Sequence, residues 1–109
     1  MKLTLIEEQF NKIFDFEALL EQSKKYIEKA LQNSESNFLS DEANIDDDLL
    51  KEIRIEYNKT SIFINNAERM PYFRLEFYLH KSASVRPMYI YEIEFNCEGQ
   101  FADEYFLEY

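Results

Sequence analysis

Few residues in this chain are of types that do chemistry, and their spacing narrows them further. His80 is the only histidine, so a two-histidine metal site is excluded and any histidine-based triad must run through this one residue. It ends an alternating run on the polar side, next to Lys81, which predicts a solvated residue near a sheet edge. Cys97, the lone cysteine, lies between Asn96 and Glu98 with no neighbouring base in sequence to favour a thiolate, and it reads as a small half-buried residue rather than a nucleophile. Asp46, Asp47 and Asp48, with Asp41 and Glu42 nearby, offer hard oxygen ligands, but the glycine and ligand spacing of an EF-hand loop are missing. The same acids before Leu49 suit a helix N-terminus or a solvated run. Glu92 and Glu94 fall on one strand face, with Glu104 and Glu108 expected beside them, a carboxylate set of the kind glycoside chemistry uses. The plainer reading is outward acids, with Arg74 pairing across the ladder. No nucleophile, phosphate loop or oxyanion device accompanies them, so the sequence reads as a binding protein and calls for no cofactor or metal.

The elements that must position these residues centre on two runs, Tyr72 to His80 and Met88 to Phe95, in which large apolar side chains alternate with polar ones. Successive strand residues point to opposite faces, so Phe73, Leu75, Phe77 and Leu79 share one side with the Tyr91 and Ile93 set, and Arg74, Glu76, Tyr78 and His80 share the other. Ahead of them, Thr4 and Glu7 have capping-box spacing, which predicts a helix start. Ile6, Phe10, Ile13, Phe14, Phe16, Leu19, Leu20, Ser23, Ile27, Ala30 and Leu31 continue one apolar stripe to about Gln32. Asp15 is a possible second N-cap, so residues 1–32 read either as one long bent helix or as two.

Residues 33–48 form an acidic connector, and residues 49–109 an antiparallel sheet. Around Ile45 to Glu56 a helical turn through Leu50 is expected to give way to a strand through Ile53, Ile55 and Tyr57. Asn58 and Lys59 then turn the chain into a second strand, Thr60 to Ile64. Asn65 to Pro71 is a loop. The single glycine, Gly99, sits where the turn between the last two strands needs it, and Phe101 to Tyr109 returns as the final strand. The expected fold is α+β: an N-terminal helix or helix pair packed on one face of an antiparallel sheet of four to five strands. An alternative replaces the first strand by a third helix.

With 109 residues, ten Phe and eight Tyr, the chain has the makings of one domain with one core. No run approaches the length of a membrane span. No basic, then apolar, leader opens it, and a single cysteine forms no internal disulfide, so a reducing cytoplasm is the expected setting; the glycosylation match Asn58-Lys59-Thr60 is then fortuitous. The net charge is −10 and it is uneven. Residues 34–48 carry six acids and no base, and residues 82–109 carry six acids against Arg86 alone. Nucleic acid and anionic membranes require cations, so a basic protein is the expected partner. Aromatic rings among acids suit such a contact. Some of Tyr72, Tyr78 and Phe106 are expected on the face away from the helix. The expected docking residues are Asp41, Glu42, Asp46, Asp47 and Asp48 in the connector, with Tyr72, Tyr78, Glu92, Glu94, Glu98, Asp103 and Glu104 on the sheet. Monomer and dimer both fit, since the last strand is a candidate exposed edge.

A small acidic chain with an N-terminal helix followed by antiparallel strands, ending in the segment from Tyr89 to Tyr105, YIYEIEFNCEGQFADEY, resembles the immunity proteins of bacterial contact-dependent and related polymorphic toxin systems. The likeness runs along most of the chain and lies in overall character rather than in a catalytic motif. It implies a protein that binds the toxic C-terminal domain of a cognate effector, often a nuclease, and blocks it. Two other readings stand beside it: an acidic nucleic-acid mimic occupying a DNA-binding protein, and a small enzyme built on the strand carboxylates.

Overall fold

The computed structural model describes residues 2–32, 53–81 and 84–109. Two helices, α1 (Lys2–Ile13) and α2 (Phe16–Gln32), precede four strands, β1 (Arg54–Phe63), β2 (Tyr72–His80), β3 (Tyr89–Phe95) and β4 (Phe101–Glu108). The strands form one antiparallel sheet in the order β1-β2-β3-β4, and the helices lie on one face of it, giving an α+β fold.

The N-terminal segment is two helices, divided where Asp15 suggested. Phe14 closes α1 by donating its N–H to the Phe10 carbonyl at 3.1 Å, and Asp15 opens α2 by accepting from the Leu19 N–H at 3.0 Å. Asp15 itself takes φ 47°, a left-handed conformation that short polar side chains tolerate better than most. The start differs from the capping-box expectation. Thr4 lies inside α1 rather than capping it, because Lys2 and Leu3 are good helix formers and extend the helix before it.

The break also divides the apolar stripe. From α2, Leu19, Ser23, Ile27 and Leu31 face the sheet and are buried, spaced by one helical turn each. The Ser23 hydroxyl donates back to the Leu19 carbonyl at 2.8 Å, so its burial leaves no unmet donor. From α1 no residue is buried; Phe10 and Phe14 reach the core, each with its ring 4.9 Å from that of Phe73. Ile6 and Ile13, expected on the stripe, are 54% and 70% exposed. Ile6 borders a groove toward β1 rather than the core.

On the sheet, Phe73, Leu75, Phe77 and Leu79 are buried under the helices with Tyr91, Ile93 and Phe95, as alternation requires. Leu75, Phe77 and Leu79 have no exposed surface, and burying each contributes about 1.5–3 kcal/mol. The two strands expected around Asn58 and Lys59 are one strand. A two-residue hairpin turn there needs positive φ at Asn58, and at Lys59 as well in the I′ form, and neither residue has it. The pairing skips instead from Tyr57↔Phe77 to Lys59↔Glu76, so Asn58 is the extra residue of a bulge. The Tyr57 hydroxyl bridges the bulge to Thr60 Oγ1 at 2.6 Å. At the other end of the sheet, Gly99 at φ 81° makes the β3–β4 turn, with Asn96 donating to the Gln100 carbonyl at 2.9 Å.

Three side chains fall elsewhere than expected. His80 is 2% exposed rather than solvated, because β2 is an interior strand and the chain after it folds back, Met88 donating to the Leu79 carbonyl at 2.9 Å. Cys97 is exposed, since the alternation of β3 stops at Phe95 and Cys97 stands in the turn. Phe106 pairs with Tyr91 and packs against the core instead of joining the outer face. No helix among the described residues is long and apolar enough to cross a membrane.

Candidate protein-binding surface

The sheet face away from the helices carries the polar alternates of all four strands, and ladder register decides which of them meet. Arg74 of β2 lies opposite Glu94 of β3, which lies opposite Asp103 of β4. Glu94 is 3% exposed and is held by Arg69 Nη2 at 2.9 Å, Arg74 Nε at 3.0 Å and the Tyr105 hydroxyl at 3.3 Å. Burial alone pushes its carboxyl up, but the hydrogen bonds and charges of the two arginines outweigh that and hold it below the ordinary 4.5. Arg69 comes from the loop after β1, placed by Asn65 at φ 58° and by its own N–H to the Asn66 carbonyl. Its guanidinium lies 3.7 Å from the Tyr72 ring centre, and Tyr72 is stacked on Phe63 at 4.6 Å. Arg74 lies 4.3 Å from the Tyr105 ring centre. Cations, rings and one buried carboxylate thus satisfy one another across all four strands.

Glu92 sits one ladder step away, directly opposite Glu76. Burial and the hydrogen bond it shares with Glu76 raise its carboxyl above the ordinary value, against the pull of Arg74 and Lys59. Arg74 Nη1 is 3.7 Å from Glu92, and Asn58 Nδ2 donates to Glu76 at 2.5 Å. Here two like-charged side chains face each other across the ladder. The catalytic grouping considered from sequence, Glu92 and Glu94 with Glu104 and Glu108, does not form. Glu104 pairs with Ile93 and Glu108 with Tyr89, which puts both on the helix side.

On that side Glu104 ties the layers together. It accepts from the Tyr91 hydroxyl at 2.5 Å and engages Tyr26 of α2, whose phenol is pushed up to about 12 by burial and by this carboxylate; the Tyr91 phenol is raised for the same reasons. A cavity of about 290 Å³ opens beside them, between Ser23 and Tyr26 of α2 and Phe95, Gly99 and Phe101 of the last hairpin.

Of the docking residues expected from sequence, Asp41, Glu42, Asp46, Asp47 and Asp48 lie outside the described residues. Tyr72 and Glu94 meet through Arg69, and both are engaged there. Tyr78 is half-buried, edge-on to Tyr109 at 5.6 Å, and Glu92 is half-buried against Glu76. Glu98 and Asp103 are exposed, in the last turn and on β4. The Asp103 carboxylate accepts the Glu104 N–H at 2.8 Å.

What the sequence reading leaves unnamed is the apolar part of the same edge. Phe101, Leu107 and Tyr109 are 52%, 48% and 54% exposed, and Glu108 stands exposed between the last two. From Cys97 to Tyr109 the chain holds four carboxylates and no base. Among the described residues, Glu98, Asp103 and Glu108 have no ion-pair partner. The signal was available, since a strand with no base and with rings on both alternates is what an acidic edge looks like in sequence.

Comparison with known proteins leaves this geometry to stand by itself: no family model, no curated protein and no solved structure matches the chain.

Proposed function

We propose that the chain is an immunity protein, acting in the cytoplasm, that binds and neutralises a cognate toxin domain with a basic, phosphate-attracting surface, such as a nuclease. One observation carries this reading: the exposed carboxylates of Glu98, Asp103 and Glu108 stand without ion-pair partners among the described residues, beside the exposed side chains of Phe101, Leu107 and Tyr109. Charge of one sign steers a cationic protein into encounter, and exposed rings supply the apolar area that retains it. The acids of residues 34–48 add to the same negative charge. Of the arginines near this face, Arg69 and Arg74 are spent on Glu94 and Glu92, and Arg86 lies 5.8 Å from the Tyr109 ring centre.

The test is co-expression with the basic C-terminal domain of an effector encoded beside this chain. Growth is expected to be rescued by the wild type and lost with the triple variant Glu98→Lys, Asp103→Lys, Glu108→Lys, provided the variant folds by circular dichroism. Toxicity undiminished by the wild-type chain contradicts the reading. A chromosomal DNA-binding protein as the cognate partner would favour nucleic-acid mimicry instead.

A further inference from the structure

Helix α1 and strand β1 face each other across a groove of about 680 Å³. Thr60 and Ile62 of β1 stand opposite Leu75 and Phe73 of β2, so they belong to the helix side of the sheet. Helix α1 reaches the core through Phe10 and Phe14, toward its C-terminal end, where both rings meet Phe73. Its first two turns are left to line the groove, with Leu3 and Ile6. Leu3, Ile6 and Ile62 are all exposed, and apolar side chains exposed together mark an interaction surface. Each wall also carries one charge, Glu7 on α1 and Lys59 on β1. Both are exposed, and neither has an ion-pair partner among the described residues.

We propose that this groove is the interface of a two-fold dimer of the chain, each copy's α1 covering the other's groove and Glu7 of one copy pairing with Lys59 of the other. Charge chooses the occupant. Together α1 and β1 hold four bases and three acids, so they carry +1 in a chain of −10. A cationic partner finds no attraction there, whereas a second copy meets this surface without the repulsion that the acidic remainder of the chain imposes. A two-fold axis makes every contact occur twice with the roles exchanged. An apolar groove with an acid on one wall and a base on the other is therefore complementary to itself. Strands β1 and β4 are the two ends of the sheet order, so a dimer formed at β1 leaves Asp103 and Glu108 of β4 uncovered in each copy. The dimer stands independently of the basic-partner reading; joined to it, the pair presents two acidic docking surfaces.

The test is sedimentation velocity on the whole chain over a range of concentrations, with circular dichroism to check folding. The wild type is expected to sediment as a dimer that dissociates on dilution. Ile6→Glu changes a side chain that is exposed in the single chain, and is expected to fold and to be monomeric. Glu7→Lys and Lys59→Glu are each expected to weaken the dimer by about tenfold or more, because each replaces two ion pairs by two like-charge contacts. The double variant Glu7→Lys, Lys59→Glu is expected to recover to within about threefold of wild type, its pairs being restored with the signs exchanged. Lys59 stands opposite Glu76, so if Lys59→Glu fails to fold, Glu7→Lys and Ile6→Glu carry the test. A wild type that stays monomeric overturns the proposal, as does a dimer indifferent to Ile6→Glu and Glu7→Lys. Single variants that weaken the dimer, with no recovery in a folded double variant, overturn the pairing of Glu7 with Lys59.

Discussion

Glu94 and Glu92 are the same residue type on the same face of the same strand, and their surroundings push them in opposite directions. Glu94 sits below its ordinary 4.5, so the stability it contributes is fully present above that value and is lost as pH falls through the lower folded value. Glu92 sits above it; its contribution is most favourable below 4.5 and is lost as pH rises through the raised value, so at neutral pH its charge weighs against the fold. Urea unfolding is therefore expected to show Glu94→Gln less stable than wild type at pH 7, with the gap closing toward pH 3. Glu92→Gln is expected to be at least as stable as wild type at pH 7. Equal losses in both variants at pH 7 would contradict this account. Half of the arrangement is legible in the sequence, because alternation alone puts Arg74 beside these acids. The other half is not, because Arg69 arrives from the loop at Asn65 to Pro71, where no periodicity says which way a side chain points. His80 fails for a related reason: alternation gives its face, but burial comes from the returning chain near Met88.

Among the elements, the β3–β4 turn is the place where sequence and packing agree most closely. A Cβ built on Gly99 would stand 2.8 Å from Phe14 Cδ1, and the residue's φ is +81°, so substitution there meets both a steric and a backbone penalty. Gly99→Ala is expected to lower stability by about 1–3 kcal/mol, read as a drop in melting temperature; an unchanged melting temperature would show that Phe14 does not press on this turn. The contact joins the end of α1 to the hairpin that presents Glu98 and β4, so the acidic edge is braced from the helical layer. Helix α2 and the strands β2 and β3 are legible because their periods are sustained over many residues. The single bulged β1 is not, because Asn58-Lys59-Thr60 reads locally as turn residues, and only the ladder to β2 shows one extra residue being absorbed. A groove of about 680 Å³ lies between Leu3, Ile6 and Phe10 of α1 and Tyr57, Thr60 and Ile62 of β1.

In the whole molecule, opposite charges are concentrated and spent in different places. Arginines and carboxylates cancel across the centre of the outer face, and three exposed carboxylates without ion-pair partners among the described residues, Glu98, Asp103 and Glu108, lie at the last turn and on β4, where apolar side chains are also exposed. The total charge of −10 does not say where the cationic partner proposed above would dock; we place it where exposed acids lie beside exposed apolar side chains. The sequence places the acids of residues 82–109 together but does not separate the paired Glu94 and Glu92 from the unpaired Glu98, Asp103 and Glu108. That separation depends on register. The most direct test of the account is the dissociation constant for the basic toxin domain, measured by calorimetry across increasing salt for the wild type and for the triple variant Glu98→Lys, Asp103→Lys, Glu108→Lys. The account predicts wild-type affinity falling about tenfold or more from low to physiological salt, and loss of binding in a folded triple variant. Affinity indifferent to salt and unchanged by reversing those three charges would contradict it.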